Sequence, residues 1–148
     1  MIKFDTDQEK QEILGLLEVN MNEEFTATLQ YICHRISARP KDVSMSEAFK
    51  TAALDEMAHI LYFSDLITKL GGNPKFTDWD IDKSDDLKTM LEKDILLEKD
   101  AVKRYSSQLE KLKDYPELHS ITESVLNDEE EHRDIFLNFK DRLQTSAF

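Results

Sequence analysis

Residues 126–135 read "LNDEEEHRDI", a histidine at the end of four consecutive acids. On a helix, Glu129 and His132 are three apart and share a face, while Glu130 and Glu131 point elsewhere. A run of acids ordinarily marks a solvated helix surface, and that reading suits Glu130 and Glu131. It does not explain residues 54–60, "LDEMAHI", where Asp55-Glu56-x-x-His59 repeats Asp128-Glu129-x-x-His132. With 15 Glu in 148 residues, a given histidine has roughly a one-in-ten chance of a glutamate three positions before it. Two of the four histidines have one, each with an aspartate just upstream, so chance accounts poorly for the pair.

The segments between these motifs repeat as well. Residues 24–31, "EFTATLQY", and 98–105, "EKDAVKRY", place Glu24-x-x-Ala27-x-x-x-Tyr31 and Glu98-x-x-Ala101-x-x-x-Tyr105 at one spacing. Each half of the chain is therefore a glutamate segment followed by an Asp-Glu-x-x-His segment. Glu24 lies among Leu17, Met21 and Thr28, and Glu98 among Leu91, Ile95 and Val102. A carboxylate on an apolar stripe is costly unless it is paired or bound to metal.

Composition agrees with long helices around such a stripe. Three glycines and three prolines leave few turns, and the abundance of Leu, Lys, Glu and Ala over β-branched runs favours helix. Thr6 with Glu9 reads as a capping box opening a first helix, whose apolar positions (Ile13, Leu14, Leu17, Met21, Phe25, Leu29, Ile32) recur up to Arg39-Pro40. Ser44 with Glu47 reads as the cap of a second, ending at Leu70 before Gly71-Gly72. Ser84 is the expected cap of a third, carrying Leu87, Leu91, Ile95, Leu96, Val102 and Leu109 and stopping near Asp114-Tyr115-Pro116. A fourth runs from about residue 117 to about residue 143. The stretch "NPKFTDWDIDK" is too long for a hairpin turn, and with Trp79 as an anchor it reads as a crossover along the bundle. The expected fold is all-α: one domain over residues 1–148, a four-helix bundle of two helical hairpins joined by a long crossover, the type that builds metal sites in its core.

Charge and cysteine content exclude several classes. A net charge of -12 argues against nucleic acid, whose phosphates need Lys and Arg, and suits cations. The lone Cys33 forms no internal disulfide and reads as a small buried hydrophobe. "MIKFDTDQEK" holds no signal-peptide run and no later segment is long and apolar enough for a membrane, so the expected location is cytoplasmic.

Four glutamates and two histidines facing one core are the set used for a pair of carboxylate-bridged metal ions. Oxygen-rich ligation with one imidazole per metal suits iron or manganese better than a structural zinc. In this arrangement Glu56 and Glu129 bridge, Glu24 and Glu98 are terminal, and His59 and His132 take one metal each. Asp55 and Asp128 read either as partners of the opposite helix's histidine, fixing its ring orientation, or as surface acids.

With those residues in view, the chain resembles the ferritin-like diiron superfamily, most like a bacterioferritin. "EEFTATLQYICH", "LDEMAHILYF", "LGGNP", "LLEKDAV" and "LNDEEEHRD" fall in the family's order from about residue 17 to about residue 139. The resemblance implies ferroxidase ligands at Glu24, Glu56, His59, Glu98, Glu129 and His132, with Tyr31 the tyrosine beside them. It places Met57 where bacterioferritins ligate haem at a dimer axis; the plainer reading is a packing methionine. His34 matches a family histidine near the outer surface and reads equally as a polar surface residue. His119 matches no role.

The implied function is oxidation of Fe(II) by dioxygen or hydrogen peroxide, serving iron storage or detoxification. The alternatives are a rubrerythrin-like or manganese catalase-like enzyme that removes peroxide, and a metal carrier without turnover. Paired cysteines of a rubredoxin element are absent from the sequence. The chain stops at Phe148, without the short fifth helix that helps bacterioferritins close a cage. The expected assembly is a homodimer, or a higher homo-oligomer built from it, through the outer face of the first two helices.

Overall fold

In a computed structural model that describes residues 2–77 and 79–146, the chain forms four helices: α1 Asp7–Ala38, α2 Val43–Lys69, α3 Leu87–Lys111 and α4 Pro116–Ser146. Asp78 in the crossover and the chain end at Phe148 lie outside the described residues. No strand occurs among those described.

The helix boundaries follow from local chemistry. Thr6 caps α1 by accepting from the Glu9 N–H at 3.0 Å, but Glu9's own carboxylate is taken by the Tyr115 hydroxyl. The caps expected at Ser44 and Ser84 are instead Asp42, which accepts from Met45 N, and Asp86, which accepts from Thr89 N. Each aspartate stands three residues before the N–H it serves, the spacing a cap requires. Ser44 falls inside the first turn of α2, and Ser84 is held by Asp82. Helix α2 ends where Gly71 takes φ +83°, a conformation that strains any residue with a Cβ. Helix α4 opens on Pro116, whose missing N–H has no helical partner to lose.

Helices α1 and α2 form one antiparallel hairpin, α3 and α4 another, and across the bundle α1 faces α3 and α2 faces α4. The crossover lies along α1. Trp79 stacks on Phe25 with ring centroids 4.5 Å apart, and Phe76 packs on the same ring. Asn22 donates to the Lys75 carbonyl and accepts from Thr77 N. The anchoring role expected of Trp79 is thus seen, and it starts α3 at the end of the bundle where α2 started.

The apolar interior divides into two clusters. One gathers Leu17, Met21, Phe63, Tyr105, Leu112 and Leu118; the other gathers Tyr31, Phe49, Met90, Leu91, Phe136 and Phe139. Burying a large apolar side chain in such a cluster contributes about 1.5–3 kcal/mol. The acidic motifs lie between the two clusters. Some expectations of burial fail: Ile32, Leu96 and Met57 are 42%, 58% and 49% exposed, and Cys33 is half-buried. Their positions fall on the outer edges of helices whose inner stripe is already filled.

Candidate metal centre

Glu24 comes from α1, Glu56 and His59 from α2, Glu98 from α3, and Glu129 and His132 from α4. All six are buried, none more than 4% exposed. The three-residue spacing within each Glu-x-x-His places both side chains on the inward face of α2 and of α4. Two groups of possible ligand atoms result. Glu24, Glu56, His59 and Glu129 form one; Glu56, Glu98, Glu129 and His132 form the other. Within each, the atoms lie within 4.8 Å of one another, and Glu56 and Glu129 belong to both.

The distances fit a shared cation better than direct pairing. His59 Nδ1 is 3.4 Å from oxygens of Glu24, Glu56 and Glu129 alike. Donors held about 2.0–2.2 Å from one metal stand roughly 3.0–3.5 Å from each other. His132 Nδ1 lies 2.9 Å from Glu56 Oε1, yet both atoms lack a hydrogen bond, as do Glu56 Oε2, Glu98 Oε2 and Glu129 Oε1. These lone pairs aim at common points rather than at one another. Five orphaned polar atoms in one core are the observation by which the site fits a pair of cations. The donor set, mostly carboxylate oxygen with one imidazole in each group, fits iron or manganese.

The surrounding groups obey the sequence repeat. Asp128 Oδ2 is 2.8 Å from His59 Nε2, and Asp55 Oδ2 is 2.8 Å from His132 Nε2. Each aspartate thus turns the opposite hairpin's imidazole so that Nδ1 faces the glutamates. Tyr31 donates its hydroxyl to Glu98, and Tyr105 donates to Glu24 in the same way. Tyr105 is therefore the equal of Tyr31, a symmetry written in the repeated Ala-x-x-x-Tyr spacing.

Protonation in the core is governed by crowding. Burial raises Glu98 and raises Glu129 further, with the Glu56 charge adding to both. Burial also pushes Glu56 up, but the nearby imidazoles of His132 and His59 outweigh it and bring it down to about 2. Burial disfavours the charged form of His59 and His132, yet the surrounding carboxylates overcome this and raise both. Burial moves Tyr31 and Tyr105 well above the usual phenol range.

A second polar cluster was missed by sequence reading. His34, expected at the surface, is fully buried, with Nδ1 2.6 Å from Asp94 and Nε2 2.9 Å from Asp82. Gln30 donates to Asp94 at 2.6 Å and accepts from Asp82 N at 3.0 Å. Asp82 belongs to the crossover, so this cluster clamps that segment onto α1 and α3. At the equivalent place beyond the other end of the centre, Asn20 and Gln108 exchange two hydrogen bonds of 2.8 Å. His34 sits three residues after Tyr31 and Asp94 four before Glu98, which was the available signal.

The family description "Ferritin-like domain" matches residues 14–145. The chain belongs to the ferritin-like domain family. Among solved structures, the bacterioferritin of Desulfovibrio desulfuricans, described with a diiron site in different catalytic states, superposes with a TM-score of 0.88 at 21% identity, covering 97% of this chain and 86% of that one. The bacterioferritin of Rhodobacter capsulatus, described with a metal-free dinuclear site and haem iron on a crystallographic special position, gives 0.84 at 23%, over 97% and 89%. A ferritin-like diiron-carboxylate protein of Bacillus anthracis gives 0.83 at 23%, over 91% and 99%. No curated protein sequence matches the chain.

Met57 takes no part in this ferritin-like centre. It lies on the outer face of the α1–α2 hairpin, where Ile32, Ile36, Leu54 and Met57 line a groove of about 250 Å³. Among the described residues, no helix is long and apolar enough to cross a membrane.

Proposed function

We propose that the chain is a diiron protein that oxidises Fe(II) with dioxygen or hydrogen peroxide. The observation that carries this reading is the pair of overlapping ligand groups sharing Glu56 and Glu129. Glu24 and His59 would complete one iron position, Glu98 and His132 the other. Bound iron would supply the electrons; the protein supplies fixed ligands and a core closed by apolar side chains on both sides. His59 and His132 offer Nδ1 because Asp128 and Asp55 hold Nε2. Tyr31 and Tyr105 orient the terminal glutamates and keep their protons, since burial disfavours the phenolates.

The reading includes assembly through the outer face of α1 and α2. Ile36, Leu54, Met57 and Leu61 there are each about half exposed or more, and a second copy would cover them as a homodimer. Met57 is the residue of that face able to ligate a haem between two copies, a group that the Rhodobacter capsulatus bacterioferritin is described as containing.

Anaerobic Fe(II) titration followed by addition of either oxidant tests the reading. Two Fe(II) should bind per chain and oxidise together. A chain that binds two equivalents but oxidises none is the metal carrier. A chain that loads Mn(II) in place of Fe(II) and consumes peroxide catalytically is the peroxide-removing enzyme.

A further inference from the structure

Between α1 and α3 a cleft of about 190 Å³ opens from the surface onto Glu24, Glu98 and Glu129. Ala27 and Ala101, each three residues beyond a terminal glutamate, leave room for it. Its rim carries the exposed acids Glu23 and Asp100, so a divalent cation is drawn inward by the charge already present.

Arg104 breaks that pattern. It is the one basic residue lining the cleft among the described residues, and it is half-buried. Its guanidinium carbon lies 4.9 Å from the centroid of the Tyr105 ring, whose face attracts a cation. Its Nε is buried without a hydrogen-bond partner. The residue related to it by the repeat, Gln30, is fully engaged by Asp94 and Asp82. A guanidinium here opposes cation approach and offers a directional donor to an electron-rich reactant.

We propose that Arg104 is a specificity-determining residue that favours hydrogen peroxide over dioxygen at this opening, by donating a hydrogen bond to a peroxide oxygen. The proposal rests on the Fe(II)-oxidising reading above and names its preferred oxidant. In the balanced reaction, two Fe(II) each lose one electron, the O–O bond breaks, two protons are taken up and two waters leave. Negative charge develops on the oxygens as that bond breaks. A fixed cationic donor stabilises that charge more than it stabilises neutral peroxide. Dioxygen also gains negative charge as it is reduced, but as a neutral molecule it is a poor hydrogen-bond acceptor, so the donor discriminates in holding and orienting peroxide at the opening.

The test compares the full chain with Arg104→Gln and Arg104→Lys. Co(II) titration of the cation-free proteins counts binding positions, and azide titration of the Fe(III)-loaded proteins reads anion affinity without turnover. Stopped-flow oxidation of Fe(II)-loaded protein is then followed with each oxidant. Both variants should bind two Co(II), as the parent does. Arg104→Gln should weaken azide binding and slow the peroxide reaction about tenfold or more while leaving the dioxygen rate within about twofold, with Arg104→Lys recovering part of the loss. Equal slowing with both oxidants, no slowing with either, or unchanged azide affinity would overturn the role of Arg104 alone. A parent chain that binds fewer than two Co(II) would overturn the Fe(II)-oxidising reading and this proposal with it.

Discussion

His59 turns its Nε2 toward Asp128, 2.8 Å away on the opposite hairpin, and thereby presents Nδ1 to Glu24, Glu56 and Glu129. Removing the carboxylate charge from such a partner lowers metal affinity by about 10–100-fold. Asp128→Asn should therefore weaken the His59 position by that order and spare the His132 position. Asp55→Asn should do the reverse. Co(II) titrations that find both positions weakened equally by either variant would refute this division.

Stability should depend on pH in a way that metal cancels. Glu98 and Glu129 hold protons above their usual value of 4.5, so folding binds protons there and stability falls as pH rises through that range. His59 and His132 are raised above 6.5; their contribution is full below 6.5 and is lost as pH rises through the raised values. Glu56, lowered to about 2 from 4.5, acts oppositely: its contribution is present above 4.5 and lost as pH falls toward 2. The cation-free chain should melt highest in mildly acidic buffer. Adding Fe(II) or Mn(II) anaerobically near neutral pH should release protons and raise the melting temperature, as calorimetry in buffers of different ionisation heat can measure.

Glu98→Gln removes one of the mutually repelling carboxyls while leaving an oxygen for the Tyr31 hydroxyl to reach. The cation-free variant should match or exceed the parent in thermal stability at neutral pH and bind the second cation weakly or not at all. Denaturation that shows clear destabilisation, together with intact binding of two cations, would mark Glu98 as structural. Glu129→Ala should likewise leave fewer than two cations bound, since Glu129 belongs to both groups.

His34→Leu strands Asp94, which is fully buried beside it. Breaking a buried pair from one side costs about 3–5 kcal/mol, and a chain of this size loses roughly 2–4 °C in Tm per kcal/mol. Burial opposes the charged His34, but Asp94 and Asp82 prevail and raise its pKa above 6.5. Its contribution is therefore full below pH 6.5 and is lost as pH rises through the raised value, so the gap between the parent and His34→Leu should narrow in alkaline buffer without closing, since Asp94 stays stranded in the variant. Cation stoichiometry should not change.

Leu54→Arg places a charge in the exposed apolar groove beside Met57. If two copies meet there, light scattering should show the parent as a dimer or a multiple of it and the variant as a monomer with an unchanged circular dichroism spectrum. A monomeric parent would sink the assembly.

The cluster was legible because its carboxylates and imidazoles obey a local rule. Glu56 with His59 and Glu129 with His132 share faces by helical spacing alone, and Glu24 and Glu98 stand out as carboxylates on apolar stripes. Asp55 and Asp128 stood in the sequence as partners of the opposite histidines or as surface acids, and only the packing of the two hairpins sets each one beside an imidazole. His34 was overlooked because its partners come from elsewhere, Asp94 60 residues away and Asp82 48; the helical offsets from Tyr31 and Glu98 put His34 and Asp94 on inward faces, but nothing local pointed to Asp82. Asp42 and Asp86 were passed over as caps because Ser44 and Ser84 offered plausible hydroxyls nearby, and only backbone geometry separates such neighbours. Arg104 was hidden among surface basic residues, since its half-burial depends on the gap left by Ala27 and Ala101.

The crossing contacts bear on ancestry. The α1–α2 hairpin contributes Glu24, Glu56 and His59, the other Glu98, Glu129 and His132, and every supporting bond runs between them: Tyr105 to Glu24, Tyr31 to Glu98, Asp128 to His59, Asp55 to His132. Neither hairpin is complete alone, yet either one paired with a copy of itself about a two-fold axis would assemble the same set. A gene half as long could thus have encoded the chemistry as a self-associating peptide before duplication and fusion. Fusion releases the two halves from identity. The centre has kept its symmetry, whereas flanking positions have diverged into an amide pair, Asn20 with Gln108, at one end and a charged clamp, His34 with Asp94, at the other.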